Sequence, residues 1–180
     1  MPLDSQFALL AGGCFWCLDA VFRDVHGVKG LVSGYMGGEL SDPSYEAVCS
    51  GTSGHAELVR IEFDPAVVSY RELLEVFFVI HDPTQLNRQG NDVGSQYRSA
   101  IFWLDEAQRD CARQMLAELA PAFAAPLVTE LSPATVFYPA EDYHQDYFRR
   151  NPGQGYCAFV VAPKLQKFRA KFARLKKQET

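Results

Sequence analysis

The sequence lacks the features of membrane proteins and nucleic-acid-binding proteins. No apolar run approaches the roughly 20 residues that a membrane-spanning helix needs, and the N-terminal stretch MPLDSQFALLAGG lacks the basic start of a secretory signal. Acidic residues outnumber basic ones, and the formal net charge of −5 gives no positive excess for nucleic acid. We therefore expect a cytoplasmic protein that binds neither membranes nor nucleic acid.

The cysteine pattern lacks what a disulfide framework or a zinc site requires. The chain has five cysteines, an odd number, and only Cys14 and Cys17 are closely spaced. A structural zinc site needs a second pair at matching spacing, and the histidines show no HxxxH-type spacing. We expect no metal, and we interpret the close pair as redox-active thiols in a reducing compartment.

The sequence also lacks internal repeats and long linkers, so we expect a single domain over residues 1–180. Segments such as QFALLAGG, HAELVRIEFDP, YRSAIFWL and YCAFVVAP predict strands. Helices are predicted from Phe15 onward and after the capping boxes that begin at Ser69 and Asp105. This mixed order predicts an α/β (α+β) two-layer sandwich, with helices packed on a mixed sheet. The glycines after the first strand lack a dinucleotide fingerprint, which argues against a doubly wound sheet.

A basic helix or tail is predicted at about 164–180, where lysine and arginine are concentrated. Apolar residues recur there at helical spacing: Leu165, Phe168, Phe172 and Leu175. We expect this helix to pack its apolar face and to leave its basic face in solvent.

Cys14 lies where the first predicted strand gives way to a helix, directly after two glycines. Unpaired N–H groups and the dipole at a helix start favour negative charge, so we expect a lowered pKa and a nucleophilic thiolate. The alternative is a buried cysteine that acts only as a small hydrophobe. Phe15 and Trp16 either form a pocket for a small apolar or sulfur-bearing group or belong to the core.

Glu57 shares strand parity with Val59, Ile61 and Phe63. A carboxyl group on an apolar face is desolvated, so its pKa should rise and make it a general acid near neutral pH. The alternative is that Glu57 lies past the end of the strand, in water.

Cys157 follows Gly153 and Gly155, which predict a mobile stretch. Mobility would let this thiol reach an oxidised Cys14 and close a disulfide. Ordinary turn glycines followed by a strand cysteine are the alternative interpretation.

Seven segments that follow one another along almost the whole chain belong together: GGCFWCLDAVF, GYMGG, YEAVCSGTSGHAE, VRIEFDP, HDPTQLNRQGNDVGSQYRSAIF, EDYHQDY and YCAFVVAPK. As a set they resemble the A-type peptide methionine sulfoxide reductases. The resemblance implies reduction of the S epimer of free and peptide-bound methionine sulfoxide, in the repair of oxidised proteins. It also implies a ferredoxin-like sandwich, no metal or organic cofactor, and thioredoxin as electron donor. We expect a monomer.

The resemblance assigns the chemistry residue by residue. Cys14 matches the family's nucleophile, which becomes a sulfenic acid. Phe15 and Trp16 match the rings that hold the substrate's methyl group. Glu57 matches the acid that protonates the sulfoxide oxygen.

Four further residues match positions around the substrate. Tyr45 and Tyr97 match hydroxyl groups that bond to the sulfoxide oxygen. Asp92 matches an acidic residue that lines the site, and His144 lies in the family's HQ segment beside it.

Two thiols are candidates for closing a disulfide with the oxidised Cys14. Cys157 matches the family's resolving cysteine, and we predict it as the main partner. Cys17 stands where many members have glycine, and its i, i+3 spacing from Cys14 makes it the alternative.

Two other functions remain open from the residues alone. A C-x-x-C pair at a helix start also fits a thioredoxin-like disulfide oxidoreductase, which would leave Glu57, Tyr45 and Tyr97 without roles. A non-catalytic module that binds methionine-rich segments would leave Cys157 unexplained. Turnover of free methionine sulfoxide with dithiothreitol distinguishes the enzyme from both.

Overall fold

A computed structural model describes residues 5–178 and contains a six-stranded mixed sheet. The strands are β1 (Gln6–Gly12), β2 (Val28–Met36), β3 (Ala56–Phe63), β6 (Ser99–Trp103), β7 (Glu130–Pro133) and β8 (Tyr138–Pro139), while β4 (Arg88–Gln89) and β5 (Asp92–Val93) form a separate hairpin. The helices are α1 (Phe15–Arg23), α2 (Tyr45–Cys49), α3 (Tyr70–Ile80), α4 (Glu106–Leu119), α5 (Tyr147–Arg150) and α6 (Ala162–Lys171). The sheet order is β7-β6-β1-β3-β2-β8, and only the β6–β7 pair in it is parallel. The predicted α/β fold with a mixed sheet is confirmed.

Alternation along the strands divides the core between the two faces of the sheet. In β1, Ala8 and Leu10 belong to the large cluster under the helices, whereas Leu9 and Ala11 belong to a smaller cluster on the other face. The larger cluster holds most of the buried aromatic rings and therefore supplies most of the hydrophobic stabilisation. Among residues 5–178, no helix is long and apolar enough to cross a bilayer.

The two predicted helix starts are present, one of them in altered form. The Ser69 hydroxyl accepts from the Glu72 N–H at 3.0 Å and the Glu72 carboxylate accepts from the Ser69 N–H at 3.1 Å, which completes the capping box. Asp105 accepts from the Gln108 N–H at 2.8 Å. The Gln108 side chain, however, donates to the Phe7 carbonyl at 2.7 Å, so it ties α4 to β1.

The segment YCAFVVAP is helical, so the strand predicted there was wrong. Residues Cys157–Val161 form a π-helical turn that continues directly into α6. Buried positions recur every three or four residues at Cys157, Val161, Leu165 and Phe168, while Phe159 is 83% exposed. A short apolar run fits both the two-residue period of a strand and the 3.6-residue period of a helix. Packing against the core selects the helix here.

The predicted basic helix is present but shorter than 164–180. It ends at Lys171, and Phe172 and Leu175 pack against the core from the turn that follows. Residues 179 and 180 lie outside the described part of the chain.

Candidate active site

Cys14 is the N-cap residue of α1, with extended backbone angles. It follows Gly13, whose φ of +93° lies in the left-handed region, and a Cβ there would come within 2.8 Å of the Gln89 side chain. The Cys17 N–H donates to the Cys14 carbonyl at 3.1 Å and starts the helix. This turn holds Cys14 at the edge of the core, with only 9% of its surface exposed.

Burial raises the pKa of the Cys14 thiol well above its ordinary value. The nearby Glu57 and Cys17 raise this pKa further, while the Trp16 N–H at the helix start lowers it. The predicted lowering of the pKa was therefore wrong, because desolvation of the thiolate outweighs the helix terminus. In the reduced enzyme without substrate, Cys14 holds its proton at neutral pH.

Glu57 lies in β3 on the helix side of the sheet and is 1% exposed. Its Oε1 accepts from the Phe15 N–H at 3.2 Å, whereas its buried Oε2 has no hydrogen-bond partner among residues 5–178. Burial raises the pKa of this carboxyl to about 8; the Phe15 N–H opposes the rise and Asp92 adds to it. The predicted rise is confirmed, so Glu57 is protonated at neutral pH and directly contacts the residue after Cys14.

Aromatic rings build one wall beside Cys14. The Trp16 indole stacks on Tyr147 at 3.8 Å with an interplanar angle of 4°, and its N–H donates to His144 Nδ1 at 3.1 Å. Phe15 is buried against His144, at 5.0 Å between ring centroids. The structure thus fixes Trp16 from two sides and leaves it half-buried, while Phe15 lies behind it in the core.

Burial lowers the pKa of His144, so its ring is neutral at physiological pH. Because Nδ1 accepts from Trp16, the hydrogen of the neutral ring lies on Nε2. His144 Nε2 is buried and, in the described part of the chain, has no hydrogen-bond partner. The ring lies 4.4 Å from that of Tyr45, so its N–H is a donor at the site.

Tyr45 and Tyr97 are half-buried, and burial raises the pKa of both phenols, with the Glu57 charge adding to the rise. Both hydroxyl groups therefore keep their protons and remain hydrogen-bond donors. The Tyr45 hydroxyl is also hydrogen-bonded to the exposed Cys49 thiol. The structure therefore places Cys49 beside a site tyrosine.

Asp92 accepts a hydrogen bond from the Tyr156 hydroxyl at 2.5 Å. The same hydroxyl lies 3.9 Å from Cys17 Sγ, and the Tyr156 ring meets Trp16 edge-on at 5.8 Å. Tyr156 thus links Asp92, the aromatic wall and the second thiol. Sequence reasoning missed this residue, although its position directly before Cys157 was a signal.

Cys17 and Cys157 are both buried, Cys157 completely, at the start of the helical turn. Burial raises the pKa of both thiols. A thiolate on Cys17 raises the pKa of Cys14, and a thiolate on Cys157 raises the pKa of Cys17. Cys17 also lies in the first turn of α1, where its N–H bonds to the Cys14 carbonyl.

Glu141 supports the site from the far side of Tyr45, and sequence reasoning missed it as well. Its Oε1 accepts from the Tyr35 hydroxyl at 3.0 Å and its Oε2 from the Tyr45 N–H at 3.1 Å. Gln145 pairs with β2 through its side chain, accepting from the Ser33 N–H at 2.9 Å and donating to the Ser33 carbonyl at 3.0 Å. These bonds fix the loop that carries His144.

The comparisons with known proteins agree with this geometry. A family model described as peptide methionine sulfoxide reductase matches residues 6–176. The chain belongs to the peptide methionine sulfoxide reductase family. Peptide methionine sulfoxide reductase MsrA of Polynucleobacter asymbioticus is 59% identical over 170 residues, which cover 93% of this chain and 90% of the relative.

Solved structures support the family assignment. Mxr1 from Saccharomyces cerevisiae in reduced form superposes with a TM-score of 0.83 at 36% identity, covering 89% of this chain and 93% of that one. Mxr1 in complex with Trx2 superposes with a TM-score of 0.59 at 25% identity, covering 82% and 87%. The residues that build the site of this peptide methionine sulfoxide reductase, from Cys14 to Cys157, all lie inside the matched region.

Proposed function

We propose that this methionine sulfoxide reductase acts on the S epimer of free and peptide-bound methionine sulfoxide, returning methionine in the repair of oxidised proteins. The observation that carries the proposal is the joint burial of a thiol and a protonated carboxyl group. Cys14 starts α1, and Glu57 binds the next N–H of the same turn at 3.2 Å. A nucleophile and an acid so placed suit the transfer of an oxygen atom to sulfur.

The substrate has an apolar end and a polar end, and the site offers a surface for each. The methyl group packs against the half-buried Trp16 ring, because thioethers pack well against aromatic rings, and the buried Phe15 ring forms part of the core that supports this wall. The sulfoxide oxygen points to Glu57 Oε2, with Tyr45 and Tyr97 as further donors. Donors placed before the reaction stabilise charge that develops on this oxygen.

The reaction conserves its protons. Sulfur of Cys14 attacks the sulfoxide sulfur and forms an S–S bond, while Glu57 gives its proton to the oxygen and the Cys14 proton passes to Glu57. The protonated oxygen then moves from the substrate sulfur to the Cys14 sulfur as the S–S bond breaks, so methionine leaves and Cys14 becomes a sulfenic acid. The substrate sulfur is reduced by two electrons, and Cys14 is oxidised by two.

Reduction of the enzyme completes the cycle. Cys17, in the same helical turn as Cys14, condenses with the sulfenic acid and releases water. Cys157 then attacks Cys17, which moves the disulfide to the 17–157 pair and frees Cys14. Direct attack by Cys157 on Cys14, as favoured from the sequence, is the alternative; Cys157 lies fully buried at the start of a helical turn.

We infer that thioredoxin then reduces this disulfide, since a related yeast protein has been solved in complex with Trx2. Two thioredoxin thiols supply the electrons and the disulfide receives them. No organic cofactor or metal takes part in this scheme. We further propose that the chain works as a monomeric single domain in the cytoplasm, with Asp92 and His144 orienting the substrate.

The test is consumption of the two epimers of free methionine sulfoxide with dithiothreitol as reductant. We expect the S epimer to disappear while the R epimer persists, because one enzyme type serves each epimer. Chiral chromatography of the residual sulfoxide measures this, and Cys14→Ser is the control for non-enzymatic reduction. Equal consumption of both epimers would overturn the proposal.

A further inference from the structure

A cavity that neither Cys14 nor Glu57 lines has no part in the proposed reaction. Its volume is about 940 Å³, within the range of small-molecule sites. It is open to solvent and lies between the C-terminal half of α3, α4, residues 122–125 and α6.

The inner surface of this cavity is apolar. Phe78, Val79, Met115, Leu119 and Phe172 contribute side chains to it. Three alanines and Phe123 form its outer rim, and the alanines are exposed to solvent. Small-molecule binding sites are usually concave and lined mainly by apolar side chains, as this cavity is.

One wall of the cavity is strongly basic. Lys164, Lys167 and Lys171 all line it, at the i, i+3 and i+7 positions of α6. None of these three ammonium groups has a salt bridge or hydrogen bond to another residue among 5–178.

The acidic residues at the cavity offset these charges only in part. Glu75 pairs with Arg71 at 3.7 Å, whereas Asp82 accepts hydrogen bonds from the neutral Thr84 at 2.9 and 2.6 Å and keeps its negative charge, so three lysines face one uncompensated carboxylate. The cavity therefore combines an apolar interior with a row of unpaired positive charges.

From this combination we infer that the cavity binds a small anionic amphiphile, with its carboxylate or phosphate at the lysines and its apolar body against Phe78 and Met115. The three lysines repel a cationic ligand. A neutral apolar ligand makes no ionic interaction with the lysines, so it should bind more weakly than an anion of the same length.

Calorimetric titration of the reduced full-length protein at low ionic strength tests this inference. Three probes share a ten-carbon chain: decanoate, decan-1-ol and decyltrimethylammonium. We expect decanoate to bind at least about tenfold more tightly than decanol, and the cation to bind most weakly. Equal affinities of decanoate and decanol, or no binding of decanoate, would refute the inference.

Charge-removing variants assign the contacts. Lys167→Gln and Lys171→Gln should each weaken decanoate binding by about threefold, the size of a partly exposed ion pair, and together by roughly tenfold. Arg113→Gln removes the same charge from the opposite face of α4 and should leave the affinity unchanged. An unaltered affinity in the double variant would contradict the site, provided that its unfolding midpoint matches the wild type.

The position of the ligand gives an independent readout. A decanoate carrying a photoreactive diazirine should cross-link to residues 115–125 and 164–172, as identified by mass spectrometry of peptides. Cross-links confined to other segments would overturn the inference. Because none of these measurements uses a sulfoxide, their failure is distinct from failure of the proposed reductase activity.

Discussion

Replacing Glu57 by glutamine should make the protein more stable at alkaline pH while it removes the proposed acid. The amide keeps an oxygen for the Phe15 N–H, which now lies 3.2 Å from Oε1, and it cannot ionise. Wild-type Glu57 has a pKa raised by burial from 4.5 to about 8. At a pH between these two values, the Glu57 carboxyl is therefore protonated in the folded protein and ionised in the unfolded chain.

The sign and size of the effect follow from proton linkage. Between pH 4.5 and about 8 the native state binds one proton more than the unfolded state, so stability falls as pH rises. Each pKa unit corresponds to about 1.36 kcal/mol. From pH 5 to pH 8 the Glu57 carboxyl alone should lower the free energy of unfolding by about 3.5 kcal/mol. The uncharged amide of the Glu57→Gln variant has no such dependence.

Urea unfolding at pH 5, 6, 7 and 8 measures the difference between the two proteins. We expect Glu57→Gln to gain about 3.5 kcal/mol relative to wild type across this range. Glu62→Gln, on the same strand at a less buried position, is the matched control and should show no comparable trend. A relative gain below about 1 kcal/mol would refute the argument that burial holds a proton on Glu57.

The same variant reports on catalysis. As an amide cannot donate a proton to the sulfoxide oxygen, the single-turnover formation of methionine should slow by roughly 10²–10⁴. In wild type the fraction of protonated Glu57 falls above pH 8, so the sulfoxide step should slow there as well. A loss of less than about threefold in the variant would show that the proton comes from elsewhere.

Three further outcomes are expected. Cys14→Ser should form no methionine in a single turnover, because a hydroxyl is a far weaker nucleophile than a thiolate; appreciable product would exclude the mechanism. Cys157→Ser should lose thioredoxin-dependent turnover yet still reduce one equivalent of sulfoxide, and a normal recycling rate would show that Cys157 is dispensable. Cys17→Ser should slow the loss of thiols after one turnover, as counted with a thiol reagent; an unchanged rate would indicate direct attack by Cys157.

Much of the fold was predictable because its strands alternate clearly and its helices carry local start signals. The alternation in β3 placed Glu57 with Val59 and Ile61, and the structure confirms that face. The Ser69 capping box needs only residues three positions apart, so sequence alone locates it. The turn at Cys157 was misassigned because its apolar run is too short to define a period.

The electrostatics of the site were less predictable than its residues. The helix start at Cys14 is a local feature, and its effect on the thiol was expected to dominate. Burial by distant segments dominates instead, and no local pattern reports how deeply a residue will be buried. The contact of Tyr156 with Asp92 likewise joins residues 64 positions apart in the sequence.

The shared burial of Cys14 and Glu57 has a chemical consequence for selectivity. Both groups hold their protons at neutral pH, and a charge on Glu57 would raise the cost of ionising Cys14 further. A thiol in this state is a poor nucleophile toward solvent oxidants. A bound sulfoxide changes this balance, because its oxygen can take the Glu57 proton. The carboxylate so formed can then receive the proton of Cys14. The high pKa of the thiol therefore suits an enzyme that must react with a sulfoxide in its pocket and remain reduced until one arrives.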